Sequence, residues 1–133
     1  MKYFTLNELT FSATAAAACV PNVPDANALS NLSNLVSRVL DPAREALGFP
    51  ISVNSGYRSP RLNALVGGVS PSQHIYGNAA DITCATAKQL QTLYAYIADN
   101  LTFDQLIYYV NRNFIHVSYV THRHNREQII VKL

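Results

Sequence analysis

The stretch NAADITC, residues 78–84, decides how the rest of the chain is read. Its small and β-branched residues predict a strand, yet Asp81 stands inside it, between Ala80 and Ile82. A carboxylate taken out of water is costly unless it is paired, hydrogen-bonded or bound to a metal. Asp81 therefore has a partner or is itself a ligand. The segment just before it, SPSQHIYG (70–77), carries His74, with Gly77 in between. Glycine lets the chain turn between a loop histidine and a strand aspartate.

A second strand, FIHVSYV (114–120), has the complementary pattern. Its alternation puts His116 and Ser118 on one face and Ile115, Val117 and Tyr119 on the other. Laid beside AADI, it would set His116 next to Asp81 and bring His74 into the same group. Two imidazoles and one carboxylate are the protein ligands of a catalytic-type zinc site, with one position left open. Each residue by itself is as readily a plain hydrogen-bonded side chain. From residue types alone both readings stay open. Ala79 shares the Asp81 face and leaves room there, and Ser72 either positions His74 or serves as a turn residue.

Outward from these strands the chain reads as α+β. TLNE (5–8) has the form of a capping box, with Thr5 as N-cap and Glu8 three residues on, and predicts a short helix over 5–12. Asp25 can cap a helix over 26–47, in which Leu29, Leu32, Val36, Val39, Ala43 and Leu47 share helical spacing. Pro42 predicts a kink or break within it, and Gly48 and Pro50 end it. ISVN (51–54) reads as a strand. SPRLNALV (59–66) reads as a helix with Ser59 as cap and Pro60 in first position. Thr86 caps a helix to about residue 98. FDQLIYYV, FIHVSYV and EQIIVKL are three strands rich in β-branched and aromatic residues. Helices first and antiparallel strands at the end indicate α+β.

The chain has 133 residues, enough for one domain with a real core, and this reading takes residues 1–133 as that domain. Charged residues make up 14% and the formal charge is +2, too little to argue for nucleic acid. The segment 110–133 is locally basic, with Arg112, Arg123, Arg126 and Lys132 against Glu127. Cys19 and Cys84 are too few for a disulfide framework, which favours a reducing compartment. No apolar run reaches the length of a membrane span. FSATAAAACV lacks the form of a signal peptide, because Asn7 and Glu8 interrupt any apolar region before it. The expectation is a folded N-terminus, cytoplasmic synthesis and, if the protein is phage or prophage encoded, release to the cell wall by another route. A monomer is expected.

SGYRSPRLN (55–63), VGG (66–68), the pattern Ser72, His74, Gly77, Ala79, Asp81, and FIHVSY (114–119) together resemble the zinc D-alanyl-D-alanine carboxypeptidase family. That family includes vancomycin-resistance dipeptidases and phage endolysins that cut L-alanyl-D-glutamate bonds. The resemblance runs from FTLNELT to NREQIIVKL. It implies a Hedgehog/DD-peptidase-like fold, a small antiparallel sheet flanked by helices. It implies Zn2+ held by His74, Asp81 and His116, and peptidoglycan stem peptides as substrate. It also implies that Arg58 contacts the substrate, either holding a carboxylate or stabilising an oxyanion. Tyr57 is expected to pack, and Asn63 to cap or to hydrogen-bond in the cleft.

The chain departs from the family at the general base. Relatives often place a carboxylate three residues before the last zinc histidine; here that position is Asn113, and YYVNRN (108–113) holds no carboxylate. Asp104 and Glu127 remain, and Asp104 is equally a strand-end residue. Two functions follow: a zinc metallopeptidase acting on stem peptides, as a D,D-carboxypeptidase or an L-alanyl-D-glutamate endopeptidase, or a zinc-containing module that binds such peptides without cutting them. A third reading makes the metal purely structural. His122 and His124 in THRHNRE, among arginines, read as a solvated loop.

Overall fold

The computed structural model describes residues 1–69 and 72–133. Helices α1 (Leu6–Thr10), α2 (Ala13–Ala17) and α3 (Ala26–Leu35) come first, then a π-helical turn at Val36–Leu40 and α4 (Asp41–Leu47). Strand β1 (Ser52–Ser55), helix α5 (Pro60–Leu65) and a 3-10 turn at Gln73–Tyr76 follow. Next are β2 (Ala79–Thr83), α6 (Ala87–Asn100), β3 (Gln105–Tyr109), a 3-10 turn at Val110–Arg112, β4 (Phe114–Ser118) and β5 (Gln128–Lys132). The class is α+β, as expected.

The helix ends form where capping chemistry places them. Thr5 accepts from the Glu8 amide while the Glu8 carboxylate accepts from the Thr5 amide, which completes the capping box. Asp25, Ser59 and Thr86 each accept the amide three residues on. Ser12 caps α2, a helix that the sequence reading left out. Pro42 neither breaks the long helix nor sits in a regular one. Its ring would strike the carbonyl four residues back, and the wide π turn just before it opens the helix there. The buried face differs in part from the expected one. Leu32, Val36, Val39 and Ala43 are buried, but Leu29 is exposed, and Ala28, Leu35 and Leu40 join the core instead.

The sheet has the order β1-β2-β4-β3-β5. The first four strands pair antiparallel, whereas β5 runs parallel to β3. The sheet is therefore mixed, which corrects the all-antiparallel expectation. The return over 119–127 reverses the chain after β4 but steps across β3 to its far edge, so β5 lies along β3 in the same direction.

Strand alternation divides the sheet between two tasks. Ala80, Ile82, Leu106, Tyr108, Ile115 and Val117 point into the main core, against α3, the π turn and α6. Each fully buried aliphatic side chain contributes about 1.5–3 kcal/mol. The opposite face carries Asp81, Ile107, Tyr109, Phe114 and His116.

The return before β5 is held by one buried carboxylate. Asp104, with no exposed surface, accepts from Arg123 at 2.6 and 3.1 Å. It also accepts from the Arg126 side chain at 2.9 and 3.2 Å, the Arg126 amide at 3.0 Å and Gln73 at 2.8 Å. Burial pushes the Asp104 carboxyl up, but the bonds from Arg123 and Arg126 outweigh this and hold it well below the usual carboxylate range. Asp104→Asn is expected to lower stability by about 2–3 kcal/mol in urea unfolding. That is less than for a fully buried ion pair, because both arginines reach water. A depressed carboxyl stabilises the fold above its unfolded pKa of about 4, and this contribution is lost as pH falls. The variant's melting temperature should therefore fall less steeply with acid below about pH 4 than that of the wild type.

Candidate metal centre and cleft

The site begins at the β2·β4 ladder. Asp81 and His116 are directly opposed across the pair, so their side chains leave the same face within reach of each other. His116 Nδ1 lies 3.0 Å from Asp81 Oδ1. His74 arrives from the 3-10 turn, with Nε2 3.3 Å from the same oxygen. The two imidazoles meet edge to face at 5.2 Å between centroids. Sequence reasoning thus named three residues that the tertiary structure brings together.

His74 and Asp81 are each oriented by a contact outside the cluster. His74 Nδ1 lies 2.7 Å from the Gly56 carbonyl. A carbonyl only accepts, so Nδ1 carries a proton and Nε2 is the ring nitrogen turned to the cluster. The Ser72 hydroxyl accepts from the His74 amide at 3.3 Å and caps the turn, so both roles weighed for Ser72 occur in one bond. Gly77 follows with φ of +76°, a left-handed conformation that turns the chain into β2.

Gly56 is where backbone meets backbone. The Tyr57 amide donates to the Leu9 carbonyl at 2.8 Å, and a Cβ on Gly56 would collide with that same carbonyl. Asn22 secures the other side. Its amide nitrogen donates to the Thr10 and Tyr57 carbonyls, and its oxygen accepts from the Ser59 amide. In the sequence Asn22 stands in the proline-flanked loop VPNVPD, where no local signal marks this role. Tyr57 is buried, as expected of a packing residue.

Asp81 is ionised. Burial pushes its carboxyl up, but hydrogen bonds from His116 and His74 outweigh burial and hold it well below the usual carboxylate range. Its other oxygen faces Arg58 Nη2 at 3.5 Å. The Arg58 fork is fixed by Ser55 at Nε (3.1 Å) and by Asn63 at Nη1 (3.2 Å). Asn63 is thus a cleft hydrogen-bonder that orients Arg58, while its amide group donates to the Val69 carbonyl.

The donor set suits a small divalent metal. Metal bonds of about 2.0–2.1 Å at tetrahedral angles set neighbouring ligand atoms about 3.3 Å apart. The two histidine nitrogens stand 3.0 and 3.3 Å from Asp81 Oδ1, and ligand atoms of all three residues fall within 4.8 Å of one another. The cluster lines a cleft of about 230 Å3, with Arg58 and Ser72 at its edge and Ile107, Tyr109 and Phe114 as walls. Tyr109 and Phe114 stack at 4.4 Å across the β3·β4 turn.

The base candidates are placed elsewhere. Asp104 is corrected: every lone pair of its carboxylate is engaged by Arg123, Arg126 and Gln73, so it has no site at which to take a proton. Asn113 is also corrected. It is exposed at the turn entering β4, with φ of +54°, its carbonyl accepts from Thr83, and it does not line the cleft. Glu127 is exposed and lies outside the cleft lining. Among the described residues, Asp81 is the one carboxylate that lines the cleft. His122 and His124 lie in the loop before β5, His122 exposed and His124 exposed as well.

Gly56→Ala tests the support behind His74. The added methyl must push Leu9 and the 55–58 loop apart, moving the carbonyl that fixes the imidazole. Metal affinity, measured by competition with a chelator, should fall by about 10–100-fold, the usual effect of losing an outer-shell partner.

The family model described as Peptidase M15 matches residues 2–118. A zinc D-Ala-D-Ala carboxypeptidase from Streptomyces albus G is 52% identical over 44 residues, a stretch that covers 32% of this chain and 17% of that protein. The chain thus matches about a sixth of that relative's length. The matched model takes in Arg58, His74, Asp81, His116 and all but the last strand, and on that match the chain belongs to the peptidase M15 family.

Proposed function

We propose that this domain is a zinc-dependent peptidase that hydrolyses peptide bonds in peptidoglycan stem peptides. The observation that carries the reading is the convergence of His74 Nε2, His116 Nδ1 and one Asp81 oxygen at the side of a cleft. These three residues are the proposed zinc ligands, and the zinc D-Ala-D-Ala carboxypeptidase similarity supports both metal and substrate class. Held by these three residues, zinc would supply Lewis-acid polarisation of a peptide carbonyl and activation of water at neutral pH.

The remaining residues act on the substrate. Arg58 borders the cleft and also an adjoining hollow of about 330 Å3 lined in part by Phe11, Ala13, Tyr57 and Leu62. Its bonds to Ser55 and Asn63 preset the guanidinium before substrate arrives. A planar fork held in this way suits a substrate carboxylate or a developing oxyanion. Tyr109, Phe114 and Ile107 supply an apolar wall against which a substrate can pack. Ser72 also lines the cleft, and beside its bond to the His74 amide its hydroxyl is assigned to a substrate backbone group in this reading.

Two variants test the assignment. His116→Ala should bind far less than the one equivalent of zinc expected of wild type, read by metal analysis, and should release no muropeptide products by mass spectrometry. Full zinc retention would remove His116 from the ligand set. Arg58→Lys keeps the charge and loses the planar fork. It should retain zinc and fold while turnover falls about a hundredfold, the scale of one lost oxyanion donor.

A further inference from the structure

Beyond His116, away from Arg58, a second hollow of about 240 Å3 opens off the same cleft. It shares Val69, Ser72, Gln105 and His116 with the metal cleft, so the two are one continuous groove. Its outer wall is made by Arg123 and Arg126.

Those two guanidiniums carry two positive charges and face one carboxylate, Asp104. Asp81, the other acid in the groove, is matched by Arg58. The Arg123–Arg126–Asp104 cluster therefore keeps a net positive charge. Asp104 is sealed behind the arginines, while the Arg123 and Arg126 side chains are 41% and 51% exposed. The pair thus presents only its cationic side to the groove. The geometry also preorganises that side. Asp104 grips Arg123 through both terminal nitrogens and Arg126 through Nε and Nη2, so neither fork has to be ordered when a ligand binds. Arg126 Nη1 and Arg123 Nε are not used by Asp104, and paired guanidiniums recognise carboxylates by charge-assisted hydrogen bonds.

Taking the peptidase reading above as its basis, we infer that Arg123 and Arg126 form a subsite for a substrate carboxylate on the far side of the metal cluster from Arg58. A stem peptide offers two such groups: the free carboxylate of its glutamyl residue and the carboxylate at its C-terminus. Both have the chemistry the subsite requires. Which one enters it sets which bond lies over the metal, so the subsite would also separate endopeptidase from carboxypeptidase action.

The experiment uses zinc-loaded protein and synthetic stem pentapeptides in three forms: free acid, amidated at the glutamyl carboxylate, and amidated at the C-terminus. Where the peptide is cut, KM and kcat are read from product formation. Where it is not cut, calorimetric titration gives Kd directly, so absence of hydrolysis would count against the peptidase reading alone and leave the subsite measurable. Wild type should lose about tenfold in KM or Kd on amidation of one of the two carboxylates, with kcat little changed, and the sensitive position names the occupant. Arg123→Gln should weaken the free acid by a similar factor and become indifferent to amidation at that position. Arg123→Lys, which keeps the charge, should retain most of the discrimination; zinc content and the thermal transition report that each variant is folded. Equal binding of all three peptides by wild type would overturn the proposal, as would unchanged discrimination in folded Arg123→Gln.

Discussion

The register that opposes Asp81 to His116 is the constraint on which the site depends. Strand side chains alternate with a strict period of two, so a slip of one residue would turn Asp81 and His116 into the core and Ile82 and Ile115 out of it. The error would cost apolar burial on one face and bury an ionised carboxylate on the other. Core packing and site assembly therefore enforce the same alignment. The pair needs no special local device, because Ala80, Ile82, Ile115 and Val117 already hold the register from the buried side.

The third member, His74, depends on parts of the chain that are far away in sequence. Its ring is aimed by the Gly56 carbonyl, and Gly56 is held against Leu9 of α1 by an approach that only glycine permits. Asn22 ties the same loop to Thr10 and Ser59. Gly77 is confined in a similar way, since a Cβ there would meet the Ala28 carbonyl of α3. The N-terminal helices thus serve as a backing plate for the two loops that bear Arg58 and His74. This gives a physical reason for helices as short as α1 and α2, which would not be stable alone, to be capped so fully.

Charge is distributed along the groove in matched and unmatched steps. Arg58 is balanced by Asp81 and locked by Asn63 and Ser55, whereas Asp104 holds two arginines and leaves one positive charge over. A buried carboxylate is expensive to keep ionised, and here the expense is offset by six hydrogen bonds in all, from two guanidiniums, one backbone amide and Gln73. Gln73 adjoins His74, so the same network steadies the turn that carries a proposed metal ligand. Among the described residues, no helix is long and apolar enough to cross a membrane.

The amino-acid sequence by itself determined most element types, most helix starts and which residues needed a partner. Caps such as Thr5, Asp25, Ser59 and Thr86 act over three residues, and strand alternation acts over two, so both are written locally. Asp81 and His116 stood out as an acid in an apolar strand and a histidine on a strand face, but residue types left plain hydrogen bonding and metal ligation both open, and it was the resemblance to the zinc carboxypeptidases that joined them with His74 as a ligand set. Only the tertiary structure decided the rest. The direction of β5 depends on how the 119–127 return crosses the sheet, which no local propensity encodes. The role of Asp104 depends on Arg123 and Arg126, distant in sequence, which meet it only in the folded chain. Asn113 stands where the resemblance led one to expect a carboxylate, yet its left-handed turn at the start of β4 leaves it outside the cleft lining. The roles of Asn22 and Gly56 rest on backbone contacts with segments distant in sequence, and such contacts exist only once the chain has folded.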